Sequence, residues 1–111
     1  MAKGILYVES KPVPGQESEY NSWYDEVHLR EVVALPGFVS ARRLAPADGQ
    51  GPYVAIYEIE ADDLAKAAAG VGEAVGRGEV YISPALGMDP PPIMRLLEVT
   101  TSYEPDAASS H

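Results

Sequence analysis

The chain has 111 residues, 46% hydrophobic and 23% charged, a composition that fits one folded domain and excludes disorder throughout. A formal charge of −9, with no run of Lys or Arg, excludes a partner bound through its phosphate backbone and would be repelled by an anionic membrane surface. Cysteine is absent, which excludes disulfides, thiolate metal sites and cysteine nucleophiles.

In chain order, GILYVE (4–9) is a β-branched and aromatic run closed by Ser10, Pro12, Pro14 and Gly15, the pattern of a strand entering a loop. Its N-terminal context, MAKGILYVES, lacks signal-peptide architecture, and no apolar run approaches the ~18 residues of a spanning helix. A soluble, cytoplasmic protein is expected.

Glu17 to His28 follows helical spacing, with Tyr20, Trp23, Tyr24 and Val27 on one stripe and Asn21, Ser22, Asp25 and Glu26 on the other. Acidic residues in the first turn suit the positive end of the helix dipole. Carried straight past His28, the helix would put Leu29 and Val33 on the polar side and Glu31 within the apolar stripe. A kink or fresh turn near Leu29 or Arg30 repairs this. Pro36-Gly37 ends the segment.

FVSARRL (38–44) reads as the second strand, PADGQGP (46–52) as a hairpin loop, and YVAIYEIE (53–60) as the third strand, with Tyr53, Ala55, Tyr57 and Ile59 on one face. Ala61 to Gly78 predicts a second helix, weakened by Gly70, Gly72 and Gly76 unless small residues there permit close packing on a sheet. A proline-rich loop (82–92) precedes a last strand, IMRLLEVTT (93–101). The order is β-α-β-β-α-β, an α+β class chain in the ferredoxin-like arrangement. One domain over 1–103 is expected, with 104–111 a disordered tail.

Two helices cover only one face of such a sheet, and the other should be polar if it met water. The first and last strands instead carry apolar residues on both faces: Ile5 and Tyr7 against Leu6 and Val8, Ile93 and Leu97 against Met94 and Leu96. Either the small sheet is loosely patterned, or a second copy covers the open face as a two-fold homodimer, which is the expected arrangement.

The segment W-Y-D-x-V-H followed by L-P-G-F, residues Trp23, Tyr24, Asp25, Val27, His28, Leu35, Pro36, Gly37 and Phe38, resembles the EthD-like dimeric α+β barrel proteins. Relatives commonly carry a proline two residues after the histidine, where this chain has Arg30. The wider superfamily includes cofactor-free monooxygenases on polyketide anthrones, polyketide cyclases, muconolactone isomerases and proteins of unknown activity. The resemblance implies a dimeric barrel with a cavity between the sheet and the first helix of each subunit.

His28 is the single internal side chain that exchanges protons near neutrality. Tyr24 lies one turn earlier and Asp25 three residues earlier, so Asp25 can orient the imidazole and Tyr24 can donate to a substrate oxygen. Alternatively, His28 only satisfies a backbone carbonyl at a helix end. Arg42 and Arg43 are adjacent on a strand and face opposite ways; an inward arginine clamps an oxyanion, or else pairs with Glu58 or Glu60. Arg95 invites the same two readings.

Tyr7, Trp23, Tyr53, Tyr57 and Tyr81 either line a pocket for a flat ligand or fill the core. Trp23, Tyr7, Tyr57, Arg42 and Phe38 are the candidate substrate contacts. No spacing of metal ligands, phosphate-binding glycine loop or nucleophile elbow is present, so no metal and no cofactor is expected.

These features predict a homodimeric, cofactor-independent enzyme using enolate-type acid/base chemistry on a small aromatic or polyketide-like molecule, as a cyclase, isomerase or monooxygenase. The alternative is a non-catalytic ligand-binding or accessory protein of a degradation or biosynthesis pathway.

Overall fold

The computed structural model describes residues 1–105. The expected tail falls mostly outside the described residues. The elements are β1 (Ala2–Ser10), α1 (Glu17–Trp23), a π-helical turn (Tyr24–His28), α2 (Leu29–Val33), β2 (Phe38–Leu44), β3 (Tyr53–Ala61), α3 (Leu64–Gly76) and β4 (Ile93–Glu98). The strands form one antiparallel sheet in the order β2-β3-β1-β4. This is the ferredoxin-like α+β fold, with the helices on one face.

The pattern break past His28 is resolved differently from the expected kink. The backbone stays helical through His28 and Leu29, but the turn from Tyr24 to His28 is widened. A π turn accommodates an extra residue per turn, so the buried face rotates back onto the sheet. Tyr20, Tyr24, His28 and Val32, each four residues apart, are all buried as a result. Glu31, predicted to sit in the apolar stripe, reaches the rim and accepts a hydrogen bond from the Tyr81 N–H at 2.9 Å.

Alternation holds cleanly in β1 and β3. Leu6 and Val8 face the helices beside Tyr57 and Ala55, while Ile5 and Tyr7 face away beside Glu58 and Ile56. In β2 a bulge between Phe38 and Ser40 sets two residues against one step of β3, which reverses the parity of the rest of the strand. Phe38, Ala41 and Arg43 therefore share the helix-facing side. Space dictates glycine at positions 4 and 37: a Cβ on Gly4 would lie 2.6 Å from the Leu97 carbonyl oxygen, and Gly37 has φ +91° with Ala67 Cβ 3.0 Å from where its own would be.

Helix α3 starts later than the apolar pattern indicates, because β3 runs through Ala61 and Asp63 caps the helix, accepting from the Lys66 N–H at 3.1 Å. Its buried side is Ala74, with Leu64, Ala67, Ala68 and Val71 packed partly beneath it. A Cβ at Gly70, Gly72 or Gly76 would meet open space. These glycines do not serve close packing, contrary to expectation. The loop before β4 is pinned to the β1–α1 connection by Val13 N–H to Ala85 C=O and Gly87 N–H to Lys11 C=O, both 2.8 Å.

Among the described residues no helix is long and apolar enough to cross a membrane.

Candidate functional site

The widened turn places Trp23, Tyr24 and His28 together over β1 and β3. The His28 ring lies 4.5 Å from Trp23, 5.1 Å from Tyr24 and 6.3 Å from Tyr57, the last two edge-on. Between these rings, the sheet and α3 is a cavity of about 260 Å³, lined also by Leu6, Val32, Val71 and Met94. Larger clefts lie beside the Asp62–Lys66 segment and against the proline loop, but neither contains a buried titratable side chain. The His28 cavity does, which makes it the candidate site.

His28 is 7% exposed. Burial lowers its pKa from 6.5 to about 4, against weaker pulls from the nearby Glu31 carboxylate and the Tyr81 backbone. The imidazole is therefore neutral at physiological pH. Its Nδ1 is buried without a hydrogen-bond partner, and the Tyr57 hydroxyl has none of good geometry, although it lies near enough to the Tyr24 hydroxyl for each to affect the other's acidity. Burial raises the pKa of both Tyr57 and Tyr24, keeping the phenols protonated as donors. A neutral imidazole and two neutral phenols thus belong to residues that line an apolar space.

The rim is held by backbone contacts that periodicity does not reveal. Trp23 Nε1–H donates to the Tyr81 carbonyl at 3.0 Å, while Glu31 accepts from the N–H of the same residue. The Tyr81 peptide is thereby clamped beside His28, although its side chain is 55% exposed and contributes nothing to the pocket wall. The misplaced acid at position 31 was the one sequence signal for this clamp.

Several candidate residues are placed elsewhere. Asp25 does not orient His28: its carboxylate is 59% exposed and binds Arg43 Nη1 at 2.8 Å. Tyr7 lies on the opposite face of the sheet, donating to Glu9 at 2.8 Å. Arg42 is exposed on that same far face, opposite Ile56, because of the β2 bulge. Phe38 is buried behind Tyr57, ring centroids 6.2 Å apart, and does not line the cavity. Trp23, Tyr24, His28 and Tyr57 are the four candidates brought together.

Arg43 is the inward arginine, and its partners are not the expected Glu58 or Glu60. Its guanidinium sits 4.4 Å from the Tyr24 ring, 5.1 Å from Tyr53 and 5.4 Å from Tyr20. It donates to Asn21 Oδ1 at 3.0 Å as well as to Asp25. One arginine on β2 thus fastens α1 and the π turn to the sheet, on the side of Tyr24 away from the cavity. Arg95 pairs in register with Tyr7 and is exposed. Among the described residues no three His, Cys, Asp or Glu side chains cluster as metal ligands.

No protein-family model and no curated protein matches the chain. Among solved structures, the crystal structure of a candidate monooxygenase from Shewanella loihica PV-4 is similar, with TM-score 0.57 and 19% identity over 92% of this chain and 99% of that one. At that identity the likeness is one of fold, and it agrees with the ferredoxin-like α+β architecture described above.

Proposed function

We propose that the protein is a cofactor-independent enzyme that moves a proton on a small aromatic or polyketide-like molecule, with His28 as acid/base. The observation that carries this is the buried, unpartnered Nδ1 of a neutral imidazole beside an apolar cavity with protonated phenols on its wall. Nδ1 accepts a proton from a carbon or oxygen activated by a carbonyl, leaving an enolate or phenolate. The Tyr57 and Tyr24 hydroxyls donate to that oxyanion. The low proton affinity of free His28 is compatible with this step, because the imidazolium forms beside the anion made at the same moment, and their attraction offsets the burial penalty. The carbanion then takes the proton back, closes on a neighbouring carbonyl, or reacts with dioxygen. The last outcome fits the description of the Shewanella protein.

The test is turnover of naphthols, hydroxyquinones and cyclic 1,3-diketones, followed as proton exchange, ring closure and dioxygen uptake. A His28→Gln variant is expected to lose at least about 100-fold in kcat/KM with unchanged circular dichroism. A folded variant with full activity removes His28 from the chemistry. Ligands that bind but are never turned over favour the second reading, a non-catalytic binding protein of a degradation or biosynthesis pathway. The depressed pKa of His28, a poor base in the free protein, is the observation in its favour.

A homodimer is part of the same proposal. The sheet face turned from the helices presents Ile5, Tyr7, Ile56 and Leu97 at adjacent register positions, an apolar patch bordered by Glu58, Arg42 and Arg95 and suited to a second copy. Light scattering is expected to give the mass of two chains, and Ile56→Lys, at the centre of that face, the mass of one. A monomer at all concentrations counts against this assembly.

A further inference from the structure

Resting on the ligand site proposed above, we propose that the His28 cavity selects electrically neutral ligands of one or two rings bearing a hydroxyl or carbonyl, and excludes the matching carboxylates. Three observations carry this. First, none of the residues lining the cavity is Lys, Arg, Asp or Glu. Arg43, the nearest buried cation, lies beyond Tyr24 with its guanidinium already held by Asp25, Asn21 and three rings. A carboxylate entering the cavity would lose its water and meet no standing counter-charge: unlike a phenol or enol it brings no proton of its own, so charging His28 would take one from water, which burial opposes.

Second, two residues lining the cavity hold buried polar atoms without partners, His28 Nδ1 and Tyr57 Oη, which can serve as one acceptor and one donor. A single hydroxyl or a hydroxy-carbonyl pair satisfies them; an anion satisfies the donor alone and faces the lone pair of the acceptor. Glu31, whose charge is felt at His28, and the net charge of −9 add repulsion of the same sign. Third, the volume of about 260 Å³ exceeds the roughly 150 Å³ that takes one benzene and suits one or two rings better than three.

Equilibrium dialysis at neutral pH with 2-naphthol, 2-naphthoate, naphthalene and 9-phenanthrol tests this. 2-Naphthol is expected to bind at least about 100-fold more tightly than 2-naphthoate and clearly more tightly than 9-phenanthrol. Tyr57→Phe should weaken 2-naphthol about 5- to 10-fold and leave naphthalene unchanged, which locates the ligand against that hydroxyl. Binding of 2-naphthoate as tight as 2-naphthol, equal binding of the three-ring phenol, no binding of 2-naphthol, or indifference to Tyr57→Phe each overturns the inference. Affinity is read without turnover, so failure to find catalysis leaves the selectivity standing, and failure of the selectivity leaves acid/base chemistry on another ligand open to assay.

Discussion

As pH falls from about 6.5 to 4, the protein is expected to lose about 3 kcal/mol of folding stability, and a His28→Gln variant is expected to keep it. The folded imidazole is held at a pKa of about 4 by burial among Trp23, Tyr24 and Tyr57, against 6.5 in the unfolded chain. Between those values the unfolded chain binds a proton that the folded one refuses, so acid favours unfolding. The full stability is present above about 6.5 and declines until the folded pKa is reached, where the loss levels off. The Glu31 carboxylate, which raises the imidazole pKa slightly, limits the effect. Urea midpoints of parent and variant across this range, at one protein concentration, decide the matter. If both decline in parallel, the burial of His28 is not the source.

Arg43→Ala is expected to cost about 3 kcal/mol, and Asp25→Ala less than about 1 kcal/mol, although the two residues form one ion pair. The carboxylate is 59% exposed while the arginine side chain is 11% exposed, so water replaces one partner readily and the other poorly. The larger share of Arg43's effect comes from stacking against Tyr24, Tyr53 and Tyr20 and from burial of its aliphatic stem. Its Nε, buried without a partner, offsets part of that gain. Loss of the guanidinium also unfastens α1 and the π turn from β2, so amide exchange should accelerate from Asn21 through His28. Chemical denaturation of the two variants gives the comparison. Equal losses would mean that the ion pair, rather than the aromatic box, holds the helix.

The two effects meet at the π turn. A helix of ordinary pitch would carry His28 and Val32 progressively off the sheet. The widened turn keeps Tyr24 and His28 on the same side, one backed by Arg43 and the other facing the cavity. Stability spent on an irregular turn is typical of helices that position functional groups, and the cavity is where that position has a use.

The order of elements, the apolar stripe through Tyr20, Trp23, Tyr24 and Val27, and the helix-facing side of β3 were legible in the sequence. Each follows from periodicity within one segment, where backbone geometry alone assigns residues to faces. The break at Leu29 and the misfit of Glu31 were also visible, but their remedy was not. A kink and a π turn repair the same pattern, and only contacts with the sheet and the Tyr81 peptide select between them. The choice between Arg42 and Arg43 turned on the bulge after Phe38, which inverts every later side chain in β2. Asp25 illustrates the same limit. It lies three residues from His28 in the helix, yet an arginine 18 residues away in sequence, brought close by the β2 register, takes its carboxylate. Local spacing determined which faces exist; strand register and the packing of helix on sheet decided what meets on them, because those partners are set by contacts between segments far apart in the chain.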